Sequence, residues 1–436
     1  MVASASAHIH PPTASRPLHS PLVPVRLAVV SSEFPPKWGG VGNYTYHLVE
    51  AISPRLTGRI EVLARSHSGP PVALQPNVAL ERLPFLPLPM VFALSFGRSA
   101  TERLVARPPD QRPDLVHVMS NMTLLPADAY ERLGMPIVST MHGTWQGERL
   151  GLSLADIAPN LQGVNDLAVL GLSPAFDRFE DLAIERSDLV TVQSANELRA
   201  VQRRIEERGL HPKGPVLELT PGVDTHTFSP AHRSAALRAQ LGIDTSDLLV
   251  LCVARLAGRK GLEELVASFD LIQRRVPAAR LVLAGEGPLE GRLRARAARG
   301  GFSSKVRFVC GLSIERLAAL YASADLFLLL SRWEGFGLAP MESMASGVPV
   351  VSTDVGGIPE YVHPGGDGLL VAVGDVEGAA EAAVRLLEDE AERSCMGVAA
   401  RQTILADHGW ERVAERFVRL YERVLGRPLL ASTTEL

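Results

Sequence analysis

Leu248-Leu-Val-Leu-Cys-Val-Ala254 is an unbroken apolar run that stops at Arg255, passes through Leu-Ala-Gly-Arg-Lys260-Gly261, and gives way to apolar residues at helical spacing over 262–276. A run this short, closed by a turn and followed by a helix, reads as a strand of a parallel sheet buried on both faces. The same unit occurs earlier as Arg26-Leu-Ala-Val-Val-Ser31, a loop over 33–40, then Val41, Tyr44, Leu48, Ala51 and Ile52 on one helical face. After the first copy come apolar runs at 60–64, 115–119, 137–140 and 189–193; after the second come 280–284, 306–309, 325–330 and 348–352, with helical patterns such as 376–387 between them. Two series of alternating strands and helices predict an α/β protein of two Rossmann-like, doubly wound parallel-sheet domains, 26–215 and 216–405. Two such units face to face enclose a cleft, because ligands of open α/β sheets bind beyond the carboxyl ends of the strands. The helical pattern 411–425 has no strand after it, so 406–436 is expected to be a helix crossing back to the first domain plus a tail. Residues 1–25, rich in Ala, Ser, Pro and His, are expected to be a disordered lead.

The totals exclude more than they name. The chain has 436 residues, 44 Lys+Arg against 48 Asp+Glu and a formal charge of −4, which gives nucleic acid no electrostatic foothold. No run of 18 apolar residues occurs, and the first 25 residues lack the basic start and apolar stretch of a signal peptide. Cys252, Cys310 and Cys395 are too scattered for a disulfide framework and lack metal-ligand spacing, so a cytoplasmic, reducing compartment is expected.

The strand-to-helix turns are where chemistry is expected in such a fold. Pro35-Pro-Lys-Trp-Gly39-Gly40-Val-Gly42 opens the first helix, where free N–H groups attract an anion, but its spacing is neither the dinucleotide fingerprint nor a P-loop. A phosphate cradle and a packing turn are both open for it. Ala284-Gly-Glu-Gly-Pro-Leu-Glu-Gly291 looks similar, yet its last glycine falls late and a structural turn is the better reading. Arg255 and Lys260 stand at the end of a strand, a fork of donors and a point charge that together suit a diphosphate. Glu334 and Glu342 flank Gly335-Phe336-Gly337-Leu338-Ala-Pro-Met, with Glu342 one turn into a helix, so that two carboxylates could each grip hydroxyl groups.

These residues together resemble the retaining glycosyltransferases of family 4, which have the two-domain GT-B fold. Glu334–Glu342 matches that family's Glu-x7-Glu motif. The Gly39-Gly40 loop, Met141-His142-Gly143, Thr220-Pro-Gly-Val-Asp224 and Arg255/Lys260 fall in the family's order, over residues 26 to 425. The resemblance implies a retaining, metal-independent hexosyltransferase acting on a nucleoside diphosphate sugar, UDP-sugar first and GDP-mannose second, with a hydroxyl acceptor from glycan, glycolipid or small glycoside biosynthesis. It implies that Arg255 and Lys260 neutralise the leaving diphosphate and that Gly39 and Gly40 approach it from the other domain. Glu334 would bind sugar hydroxyls, with Phe336, Gly337 and Leu338 presenting backbone N–H groups, and Glu342 would hold the ribose. His142 would contact the donor sugar near the reacting carbon, and the base would lie near Val309, Cys310, Gly311 and Leu312. No cofactor and no metal site are implied.

Two readings stand beside this one. A phosphorylase on the same fold would need a pyridoxal-lysine context, which is not found. A non-catalytic, sugar-nucleotide-binding regulatory subunit is disfavoured by the intact Arg255, Lys260, Glu334 and Glu342. One stretch stands apart: no charge occurs between Arg82 and Arg98, while residues 53–113 hold 8 Arg and 4 Asp+Glu. An apolar edge over 83–96 with basic flanks could make peripheral contact with the inner membrane face. A core strand followed by a buried helix start is the favoured alternative.

Overall fold

The computed structural model describes residues 24–36, 40–67, 72–88, 90–120, 123–150 and 161–429. Of the expected lead only Pro24 and Val25 lie among them, and Val25 already starts the first strand.

Seven parallel strands form the first sheet: β1 (Val25–Ser31), β2 (Gly58–Arg65), β3 (Val78–Leu83), β4 (Leu115–Met119), β5 (Ile137–Thr140), β6 (Leu189–Val192) and β7 (Val216–Glu218), in the order 3-2-1-4-5-6-7. Six form the second: β8 (Leu248–Val253), β9 (Ala279–Ala284), β10 (Val306–Val309), β11 (Leu326–Leu329), β12 (Val350–Thr353) and β13 (Gly368–Val371), in the order 10-9-8-11-12-13. In each sheet the first strand lies inside and the order reverses beside it, at β1/β4 and at β8/β11. This is the GT-B arrangement, with a topological switch point in each half. The central strands are buried on both faces, as an unbroken apolar run requires.

The first domain runs three residues past its expected end at 215, because β7 pairs with β6 and belongs to the first sheet. The chain then crosses at Thr220–Asp224 and returns at His408–Trp410. Val223 N–H donates to His408 O at 2.7 Å, and a Cβ on Gly222 would lie 2.7 Å from the Trp410 ring, so only glycine lets the two passes lie together. The expected crossing helix is present as Trp410–Leu425. Val413, Phe417, Val418 and Tyr421 pack with Tyr44, Leu48 and Ile52 of the helix Gly40–Ile52 in one buried cluster. Each such side chain contributes roughly 1.5–3 kcal/mol by leaving water.

The apolar stretch 83–96 divides. Leu83, Met90, Ala93 and Phe96 are buried, so most of it is core. Leu86 and Leu88 are 56% and 55% exposed and form the edge that remains. Among the described residues no helix is long and apolar enough to cross a membrane.

Candidate functional site

The strand ends of the second domain are brought together by one glycine. Gly261 has φ +58°, and a Cβ there would lie 1.7 Å from Leu330 O, so its absence lets the turn Gly258–Lys260 sit against the end of β11. Lys260 Nζ consequently donates to Glu334 Oε1 at 2.6 Å, and Ser331 Oγ donates to the same oxygen at 2.7 Å. Burial favours the neutral acid, but the Lys260 ammonium and these hydrogen bonds more than offset it and hold Glu334 below the usual carboxylate range. Glu334 is therefore an anion with a dedicated counterion. Arg332 N–H donates to Arg259 O at 2.8 Å, a second tie between the two loops. Arg255 stands exposed just beyond β8.

The Gly-Phe-Gly segment is braced from behind. Gly335 O accepts from Gly357 N–H at 3.0 Å and Gly337 O from Tyr361 Oη at 2.7 Å, while Phe336 is buried against Tyr361. With the carbonyls engaged, the N–H groups of Phe336, Gly337 and Leu338 open the helix Leu338–Ala345, where no preceding turn supplies an acceptor. Glu342, inside that helix, differs from Glu334. It is buried, its Oε2 accepts from Tyr321 Oη at 2.8 Å, and burial pushes its pKa up to about 7.

Val309, Cys310, Gly311 and Leu312 line a cavity of about 290 Å³ with Leu237, Leu241, Arg316 and Leu320. The glycine-rich turn after β9 is structural, as expected: Cβ atoms on Gly285 and Gly287 would lie 2.0 Å from Ala254 O and 2.4 Å from Leu256 O. It supports the Arg255 turn by close backbone approach.

The first domain presents Gly40 and His142 at the ends of β1 and β5. Gly40 starts its helix, and a Cβ there would meet nothing within 4 Å among the described residues, so their packing does not account for the glycine. Gly39 lies outside the described residues. Gln193 Nε2 donates to His142 Nδ1 at 2.7 Å, which leaves the ring proton on Nε2, 3.5 Å from Met119 Sδ. Tyr44 meets the ring edge-on at 4.7 Å, and burial lowers the His142 pKa to about 3, so the imidazole is neutral at physiological pH.

The two halves touch at this point. A Cβ on Gly143 would lie 2.9 Å from Trp333 Cη2, and the Glu360 carboxylate accepts from Ala195 and Asn196 N–H, each at 3.0 Å, across the domains. Gln193, Glu197, Glu360 and Tyr361 also make contacts of this site and belong to none of the motifs above. Ser194-Ala-Asn-Glu197 is a readable capping signature, since Ser194 Oγ accepts from Glu197 N–H at 3.0 Å, and Gly356-Gly357 after β12 is a readable tight turn. The partners of these groups come from other elements and have no sequence signal.

Two sequence families match in tandem. One described as Glycosyltransferase Family 4 matches residues 38–227, and one described as Glycosyl transferases group 1 matches 234–403. The chain is 28% identical over 419 residues to a glycogen synthase of Mycobacterium tuberculosis, covering 91% of this chain and 94% of that one. It is 36% identical over 208 residues to a GDP-mannose-dependent alpha-(1-6)-phosphatidylinositol monomannoside mannosyltransferase of the same species, covering 45% of this chain and 53% of that one. Its fold resembles that of a sucrose-phosphate synthase from Thermosynechococcus elongatus, with a TM-score of 0.74 and 23% identity over 92% of this chain and 99% of that one.

Proposed function

The chain belongs to glycosyltransferase family 4, and we propose that it moves a hexosyl group, with retention of configuration and without a metal, from a nucleoside diphosphate sugar to a hydroxyl acceptor. The observation that carries this reading is the Lys260–Glu334 pair, which joins the phosphate side of the site to the sugar side through one 2.6 Å contact. An ammonium has three donors, so Lys260 can keep Glu334 oriented and still face a phosphate. Arg255, exposed at the end of β8, adds a second cation, and Gly40 leaves room for the diphosphate at a helix start. As the C1–O bond to phosphate breaks, negative charge grows on the diphosphate and positive charge on the sugar. Prearranged cations and N–H groups stabilise the former without reorganising. The acceptor oxygen bonds to C1 on the face the diphosphate leaves, and its proton passes to the departing phosphate oxygen. Glu334, an anion, holds sugar hydroxyls, and neutral His142 offers its Nε2–H near the reacting carbon. Glu342 would take the ribose hydroxyls in place of Tyr321.

UDP-sugar is the first donor proposed, with the base at the cavity beside Val309–Leu312. GDP-mannose is the second reading, and the name of the mannosyltransferase at 36% identity favours it. The proposed setting is cytoplasmic, with any lipid contact narrowed to Leu86 and Leu88. A thermal-shift panel of UDP, GDP, ADP and their sugars tests the donor, because a ligand bound only by the native state raises its stability. Turnover should survive EDTA; loss on chelation would overturn the metal-independent scheme.

A further inference from the structure

Glu197 carries an unspent oxygen at the junction of the two domains. It lies on the helix Ala195–Arg208, is 6% exposed, and is anchored by its Oε2, which accepts from Gln193 N–H at 2.9 Å. Its Oε1 is buried and has no hydrogen-bond partner among the described residues. A buried carboxyl oxygen left unpaired costs roughly 1–3 kcal/mol, so its retention calls for an explanation.

The surroundings of that oxygen supply one. A Cβ built on Gly143 would lie 3.6 Å from Oε1, and one built on Gly335 would lie 3.3 Å from it. Gly143 follows His142 and Gly335 follows Glu334, the two residues placed on the donor sugar. Oε1 therefore stands between the first-domain turn and the second-domain loop that hold the sugar in that reading. On the Gly143 side the Trp333 ring fills the space a side chain would take, whereas at Gly335 a Cβ would meet no described atom within 4 Å other than Oε1, so the room beside Oε1 lies on the Gly335 side. The same Gln193 that anchors Oε2 by its N–H donates through Nε2 to His142, so Glu197, Gln193 and His142 form one fixed set of groups. Of the three, Glu197 alone retains a buried polar atom without a partner.

We propose that Glu197 is a third sugar-binding group of the site, its Oε1 exchanging a hydrogen bond with a hydroxyl of the transferred sugar when the cleft holds donor. This rests on the donor reading above and adds to it a first-domain carboxyl group with no place in the Glu-x7-Glu motif. Oε2 fixes the side chain beforehand, so little rotamer entropy remains to be lost when the hydroxyl arrives.

The test compares nucleoside diphosphate with sugar nucleotide by calorimetric titration, using UDP with UDP-glucose and GDP with GDP-mannose. The parent is expected to bind one sugar nucleotide more tightly than its diphosphate. Glu197→Leu should lose that increment by about tenfold, the worth of one good hydrogen bond, with diphosphate affinity within about twofold. Glu197→Gln should keep most of the increment, since an amide also exchanges hydrogen bonds with hydroxyls. Glu197→Asp should lose it, because the shortened carboxyl withdraws from the sugar; this variant carries the test if the leucine variant fails to fold. An increment unchanged in Glu197→Asp and Glu197→Leu overturns the proposal and leaves Glu197 a helix-capping residue. A parent that binds no diphosphate and no sugar nucleotide overturns the donor reading, and the proposal with it.

Discussion

Lys260 and Glu334, 74 residues apart, meet at 2.6 Å because Gly261 lets the β8 turn slide under the end of β11. Both side chains are largely covered, at 17% and 9% exposure. A covered ion pair is costly to break from one side only, since the remaining charge has no water to replace its partner.

Lys260→Ala should therefore do two things. Turnover should fall by roughly 10²–10³-fold, the scale of one lost transition-state donor, and stability should fall by about 3–5 kcal/mol as Glu334 is left unpaired. Adding Glu334→Gln should restore much of the stability and none of the turnover. Urea unfolding and initial rates on the single and double variants check this. Near-normal turnover in Lys260→Ala would remove the diphosphate clamp.

Glu342 makes a separate prediction in pH. Its pKa rises from 4.5 to about 7 on burial, so between those values the native state holds a proton the unfolded chain has released. The stability this contributes is full below pH 4.5 and is lost as pH rises through 7. Glu342→Gln cannot titrate, so the parent-minus-variant difference in unfolding free energy should fall toward high pH, by up to about 1.4 kcal/mol per pH unit. Taking the difference cancels the groups the two proteins share, among them the histidines and the buried Glu180 and Glu197, whose pKa values burial also raises. A difference flat between pH 5 and 8 would sink the assignment.

The strands that could be read in the sequence are those covered on both faces. Leu326–Leu329 has no polar break because nothing about it meets water, and in Leu115–Met119 the one polar residue, His117, is buried with both ring nitrogens paired. β3 and β7 are sheet-edge strands, partly exposed and carrying Glu81, Arg82 and Glu218 in place of an apolar run, while β13, at the other sheet's edge, is apolar but only four residues long and partly exposed. The same division holds at the site. Arg255, Lys260, Glu334 and Glu342 are spaced along one domain and could be picked out by position and type. Tyr321 under Glu342, Gln193 on His142 and Glu360 on the Ala195 helix are contacts between distant segments, which spacing does not encode.

The crossing helix is held by a polar contact as well as by packing. Tyr421 Oη and His117 Nδ1 are 2.7 Å apart, and His117 Nε2 lies 2.7 Å from Thr140 Oγ1, two residues before His142. Burial pushes His117 down to about 3, so the ring is neutral and each nitrogen needs one partner. Tyr421→Phe leaves one ring nitrogen unpaired and should cost about 1–3 kcal/mol in chemical unfolding. Phe417→Ala beside it should cost about 3–5 kcal/mol through the cavity it opens. Losses under 0.5 kcal/mol in both would mean that the helix is not docked as described.

Lipid contact is decided at Leu86 and Leu88. The uncharged stretch alone would nominate Phe92 and Phe96 as well, but Phe96 is fully buried and aspartate there would unfold the domain whatever it does to binding. Phe92 is covered by the Arg65 guanidinium, 4.3 Å from its ring centre, and reports on that contact instead. Leu86 and Leu88 are each more than half exposed, so Leu86→Asp with Leu88→Asp should leave the unfolding transition within about 0.5 kcal/mol of the parent. If the edge meets a membrane, the parent should co-sediment with vesicles containing anionic lipid and the double variant should stay in the supernatant at the same salt. Exposed leucines bind by burying area, so raising the salt should weaken the parent only through its basic flanks. A parent that does not sediment with such vesicles would leave these two leucines as ordinary surface residues.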